Sequence, residues 1–244
     1  MSARILPFLL LALPAWAAEL PAQLDWSQRV EIATPVSGVV ETVHVRPGQR
    51  VAQGTPLVSL NQAAFKASLG EARADLERFT QEAAEARREL DRVGELYART
   101  VSSTTELDTA KLRHARAAAL LAGAQARLDK ARRQIEESEP RAPYDALVLD
   151  RAAEPGMAVA GQCQPPVLVT LARADEIVAR AGLAAGQAAT VKPGDPATVG
   201  VAGKSIAGQV AAVRAKADGR YQVEVAIPRG NGHVAGLAAT IRLP

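Results

Sequence analysis

The sequence predicts a mixed β and α protein: a small β-sandwich split in sequence by an inserted antiparallel helical hairpin, then a small β-barrel. Three observations predict it. Two short β-rich segments, residues 33–60 and 140–171, flank an alanine-rich helical stretch. A turn signature interrupts that stretch near its middle. Beyond the second β-rich segment, residues 172–244 are cut by glycines into short strand-like pieces.

Residues 1–18 read as a secretory signal: Arg4 supplies the positive end, residues 5–13 a short apolar core, and Ala15-Trp16-Ala17 a small-x-small cleavage pattern. The apolar run is too short to span a bilayer and none like it follows, so the expectation is a soluble, exported chain. No cysteine stands at the cleavage point to carry a lipid. Cys163 is the single cysteine, so an internal disulfide is impossible, and it reads as a structural or incidental thiol. Lys and Arg number 29 against 26 Asp and Glu, interspersed rather than blocked. That balance suits a solvated surface and argues against a nucleic-acid partner.

Residues 19–31 form an N-terminal segment whose Leu24 and Trp26 are expected to join the barrel. Residues 32–61 form the first sandwich half. Val36, Val39, Val43 and Val45 are β-branched, Ser37-Gly38 and Pro47-Gly48 punctuate them, and Val51-Ala52-Gln53-Gly54 leads into Pro56-Leu57-Val58-Ser59-Leu60. Strands this short cannot bury a core alone. Residues 139–172 supply the complement. Ala142 to Val148 resembles Thr34 to Val40, Pro155-Gly156 echoes Pro47-Gly48, and Val167 to Leu171 echoes Pro56 to Leu60.

Between the halves, residues 62–138 change to a helical period. Leu69, Leu76, Ala83, Leu90 and Tyr97 recur every seven residues, with Ala72, Phe79, Ala86, Val93 and Thr100 three residues after each. In the second arm Leu107, His114, Leu121, Leu128 and Ile135 form one line and Ala110, Ala117, Ala124 and Ala131 the other. Paired seven-residue lines are the pattern of a coiled coil. The run from Arg99 to Thr105 opposes helix continuation, and Ser103 followed by Glu106 is a capping box that starts a new helix. The turn is therefore expected near Val101, Ser102 and Ser103. One continuous helix pairing with a copy of itself would instead leave the β halves apart and each without a core.

Residues 173–244 are expected to form the barrel. Gly182, Gly186, Gly194, Gly200, Gly203 and Gly208 break the region, while residues 209–213, 221–227 and 236–243 read as strands and Asp218-Gly219 as a turn.

This pattern resembles the periplasmic adaptor subunits, or membrane fusion proteins of the HlyD/AcrA-like family, that serve Gram-negative tripartite efflux pumps. The residues that carry the likeness are Thr34-Pro35-Val36-Ser37-Gly38-Val39-Val40, Val45-Arg46-Pro47-Gly48-Gln49-Arg50-Val51 with Ala52 to Leu57, and Arg141-Ala142-Pro143-Tyr144-Asp145-Ala146. The first half alone is shared with biotin and lipoyl carrier domains. The resemblance implies an elongated adaptor with a split lipoyl/biotinyl-like sandwich. Its partners would be an inner-membrane transporter of the resistance-nodulation-division (RND) type, a TolC-like outer-membrane channel, and further copies of itself in a hexamer. Members that dock onto TolC-like channels carry arginine, leucine and serine near the hairpin tip, spaced four and then seven residues apart; Arg92, Leu96 and Ser103 have that spacing. An arginine fork, an apolar anchor and a hydroxyl at a turn suit an interface.

The chain departs from the family where Ala146 replaces the usual glycine, and in the longer loop from Gly161 to Pro166, which suggests a bulge touching a neighbour. Many adaptors add a membrane-proximal domain after the barrel; here contact with the pump is expected to fall to the barrel and sandwich base, and any membrane tether to partners. No catalytic constellation stands out, and no cofactor or metal is expected. His44, His114 and His233 lie in separate elements without metal-ligand spacing. His44 reads as a surface strand position and His114 as a seam residue. Two other functions compete. One is an adaptor for an ATP-driven (ABC-type) exporter, including type I secretion systems, and of these the type I adaptors generally have an uncleaved membrane segment and longer arms. A biotin or lipoyl carrier needs a lysine on its turn, and no Lys occurs from Val36 through Leu60.

Overall fold

The computed structural model describes residues 19–161, 164–217, 219–230 and 232–243; the expected signal at 1–18, Cys163 and Asp218 lie outside them. The described chain divides into two units, one of residues 30–171 and one of residues 19–29 with 172–243.

β1 (Glu19–Trp26) belongs to the second unit. The first unit opens with β2 (Val30–Ile32), β3 (Gly38–Val43), β4 (Arg50–Val51) and β5 (Val58–Leu60). The helices α1 (Ala63–Ala98) and α2 (Thr104–Glu137) follow, and the chain returns through β6 (Ala146–Arg151), β7 (Ala158–Val159) and β8 (Val169–Arg173). One sheet runs β2-β8-β6-β4 and the other β5-β3-β7, so each draws strands from both sides of the insertion.

The halves interlock through matched hydrogen bonds. Gly48 N–H donates to Val148 O at 2.8 Å, and Gly156 N–H donates to Val40 O at 2.8 Å. These are equivalent positions in the two repeats, and both glycines sit at positive φ, 83° and 88°, where a side chain would strain the turn. Leu57, Leu60, Val148, Leu168, Val169 and Leu171 are fully buried together. Ala146 is likewise buried, in β6. Neither half could close this core alone.

The arms leave and re-enter the sandwich side by side. Leu60 N–H donates to Ser138 O at 2.9 Å, Gln62 Nε2 to Ser138 Oγ at 3.0 Å, and the buried Thr34 hydroxyl to Glu137 O at 2.6 Å. At 1.5 Å per residue, the 36 residues of α1 extend about 54 Å. Ala72, Phe79 and Val93 of α1 and Ala110, Ala124, Leu128 and Ala131 of α2 are buried in the seam. The arginines Arg78 and Arg127 lie over the Phe79 ring, at 3.9 and 5.9 Å from its centre. Two seam positions require correction. Tyr97 is 41% exposed and Thr100 is exposed, because α1 ends at Ala98 and the turn carries the chain off the heptad line.

The second unit adds β9 (Glu176–Leu183), the short α3 (Ala185–Ala188), β10 (Pro196–Val201), β11 (Lys204–Ala215), β12 (Tyr221–Pro228) and β13 (Ala238–Arg242). They close a barrel in the order β1-β13-β10-β11-β12-β9, with β1 pairing to both β13 and β9. Leu24, Ile177, Val199, Val223, Val225 and Ile241 fill it. Three glycines expected to break strands lie inside them instead: Gly182 in β9, Gly200 in β10 and Gly208 in β11. Gly208 is there because a Cβ would fall 2.5 Å from Ala226 O, and Gly200 because one would fall 2.6 Å from Thr240 Oγ1. The buried Glu224 is compensated from two sides, by Arg180 at 3.0 Å and Arg214 at 3.3 Å.

Candidate docking site

The end of the hairpin is built by two opposed caps. α1 closes in a Schellman motif: Val101 N–H donates to Leu96 O at 2.9 Å, and Thr100 N–H to Tyr97 O at 2.9 Å. Thr100 takes the left-handed position of that motif at φ 61°, where glycine is usual and a β-branched residue is strained. Val101 is left 71% exposed at the apex.

α2 begins with the capping box that its sequence announces. Ser103 Oγ accepts from Glu106 N–H at 3.2 Å, and Ser103 N–H donates back to Glu106 Oε2 at 2.8 Å. The Ser102 hydroxyl donates to the same carboxylate at 2.7 Å. The Ser102 hydroxyl, then the Ser103 N–H and hydroxyl, hold the Glu106 carboxyl below the usual carboxylate range. A carboxyl lowered in the folded state contributes stability that is present above its unfolded pKa and lost as pH falls through the folded one. Acidification through that depressed value should therefore fray the first turn of α2, seen as shifting Ser103 and Glu106 amide resonances. The Ser102→Ala, Ser103→Ala double variant should raise the titration midpoint; an unchanged midpoint would refute this origin of the shift.

Between the arms, next to these caps, lies a groove of about 340 Å³. Val93, Leu96, Val101 and Ala110 give it apolar surface, and Ser102, Thr105 and Thr109 supply hydroxyls. Arg92 forms a fork on its own helix: Nε donates to Glu89 Oε2 at 2.9 Å and Nη2 to Oε1 at 2.7 Å. Arg92 remains 64% exposed, so the fork is fixed in direction but open to solvent. Its hydrogen bond, then its charge and that of Arg113, hold the Glu89 carboxyl below the usual range.

The structure brings Arg92 and Leu96 to one groove. Ser103 does not line it; its hydroxyl is engaged with Glu106 at the start of α2. Glu89, Thr109 and Arg113 line it as well and were not singled out from sequence. Position gives only a partial signal: Thr109 and Arg113 each precede a seam residue, Ala110 and His114, as Arg92 precedes Val93, but Arg116 precedes Ala117 in the same way.

Elsewhere, His44 is exposed beyond β3 and meets Ser59 Oγ at 2.8 Å, while His114 is half-buried on the seam side of α2. Among the described residues no group of three or more His, Cys, Asp or Glu could hold a metal ion, and no helix is long and apolar enough to cross a membrane.

Residues 28–165 match the family described as CzcB-like, barrel-sandwich hybrid domain. The match spans more than half of the chain, which belongs to that family. Among solved structures, the membrane fusion protein Spr0693 from Streptococcus pneumoniae R6 superposes with a TM-score of 0.70 at 14% identity, over 93% of this chain and 98% of that one. A MacA–MexA chimera carrying the Pseudomonas aeruginosa MexA α-hairpin gives 0.71 at 17% identity, over 93% and 78%. ZneB from Cupriavidus metallidurans gives 0.52 at 22% identity, over 93% and 97%. The chain thus has the membrane-fusion-protein fold.

Proposed function

We propose that the chain is a periplasmic adaptor that joins an inner-membrane RND-type transporter to a TolC-like outer-membrane channel for efflux. Copies of it, six in the assembled pump, would surround the export path, and the transporter would supply the energy. The barrel and sandwich would serve the pump, and Arg92, Leu96 and Ser103 would meet the channel. The observation that carries this reading is the arrangement at the tip. An exposed arginine fork and a leucine border one groove at the end of arms about 50 Å long, beside a serine-capped turn. Family membership and the fold support it.

The test is site-specific crosslinking in cells from an Ala98→Cys position at the end of α1, in a Cys163→Ser background. The channel should be captured. Arg92→Asp or Leu96→Asp should lower capture and export together by tenfold or more, roughly what loss of one interface hot spot causes. Unchanged capture and export in both variants, with folding intact, would overturn tip docking.

A further inference from the structure

The charges around the tip groove do not balance once their partners are counted. Two carboxylates line it, and both are spent within the hairpin: Glu89 in the fork with Arg92, Glu106 in the α2 cap. Two arginines line it, one from each arm. Arg92 is matched by Glu89, but Arg113 has no hydrogen bond or ion pair within 4 Å among the described residues. Its charge reaches Glu89 only through space. The groove therefore presents, among the described residues, one cation without a bonded partner, on the opposite arm from Arg92, and Val93 and Ala110 also line it.

We propose that Arg113 is a fourth docking residue, which with Thr109 forms the α2 wall of a two-sided cleft for an acidic, apolar-flanked turn of the outer-membrane channel. The complementarity is specific in form. A carboxylate entering between the arms meets a five-donor guanidinium on α2 that need not surrender an existing partner. Thr105 and Thr109 also line the groove; the Thr109 hydroxyl donates to Thr105 O at 2.7 Å, so it gives the carboxylate no hydrogen bond and can only accept a backbone N–H of the entering turn. The apolar flank of the turn would cover Val93, Leu96 and Ala110. Arg92 keeps Glu89, so docking need not break the fork. The cleft reads both arms at once, and only a correctly paired hairpin would present it.

This inference rests on tip docking, and the experiment separates the two. Capture of a TolC-like channel from Ala98→Cys is compared, in the full-length chain, among Arg113→Glu, Arg113→Lys and Arg116→Glu, with Arg92→Asp as reference. Arg116 is exposed on the same helix but does not line the groove. Arg113→Glu should lower capture about tenfold or more, as reversal of an interfacial charge does, and Arg113→Lys should retain most of it. Arg116→Glu should leave it unchanged, and melting temperatures should agree throughout. If Arg113→Glu captures like the parent while Arg92→Asp fails, the cleft is one-sided and this proposal falls while docking stands. If Arg116→Glu fails as badly as Arg113→Glu, a general basic field acts and the cleft is refuted. If the parent captures only its own copies, both readings fall.

Discussion

Excision of residues 63–137, with Gln62 joined to Ser138 through a short Gly-Ser turn, should leave a folded sandwich that no longer retains the channel. The join is short because the two strands of chain already touch there, through the Leu60–Ser138 and Gln62–Ser138 hydrogen bonds. Among the described residues, the buried sandwich core lies wholly outside the excised segment. Two losses are expected: Phe65, which packs partly buried against that core, about 1–2 kcal/mol by area, and the Glu137 carbonyl that accepts from the buried Thr34 hydroxyl, about 1–3 kcal/mol unless the new turn replaces it. A cooperative melt shifted down by several degrees is therefore expected. Retention of a TolC-like channel by the immobilised chain should fall to background. Loss of cooperative unfolding would show that the arms complete the sandwich, and persistent retention would move docking away from the tip.

The second large effect lies in the barrel. At Gly208 a Cβ would meet Ala226 O at 2.5 Å, Ile227 Cγ2 at 2.6 Å and Val225 Cγ1 at 3.0 Å. The nearest of these is backbone in the adjoining strand, which cannot swing aside as a side-chain end could. Gly208→Val should therefore destabilise the barrel by about 3 kcal/mol, the upper range for overpacking. Gly182 is the control: it also lies within a strand, but a Cβ there meets nothing within 4 Å. Gly182→Ala should change stability by no more than about 0.5 kcal/mol. Chemical denaturation of both variants decides it; equal midpoints would mean that β11 shifts to make room.

Patterns that repeat were legible in the chain, and features that depend on a neighbour across space were not. The seven-residue lines placed Phe79, Val93, Ala124 and Leu128 in the seam, because helical period and burial are the same fact read twice. The two Pro-Gly steps announced the interlocked halves because each repeat carries the same turn. The capping box was visible in Ser103 and Glu106 alone, since both partners lie within one turn. By contrast β9 and β10 went unread. Their glycines looked like breaks, and only the facing Thr240 side chain explains why Gly200 belongs inside a strand. Arg113 escaped for a related reason: nothing along α2 distinguishes it from Arg116, and only the opposite arm makes one of them a wall of the groove.

The adjacency of Leu60 and Ser138 carries a further implication for how such a molecule changes over evolutionary time. The base touches the arms only near their two exits and at Phe65, so the span beyond the first turn of α1 is free to grow or shrink without disturbing the sandwich. Growth in matched blocks of seven in each arm keeps the seam in register, since a block far from a whole number of turns rotates the seam out of contact. Each block adds about 10 Å of reach. Reach is thus quantised, and a lineage can adjust to a wider or narrower envelope by duplication or deletion within the rods alone.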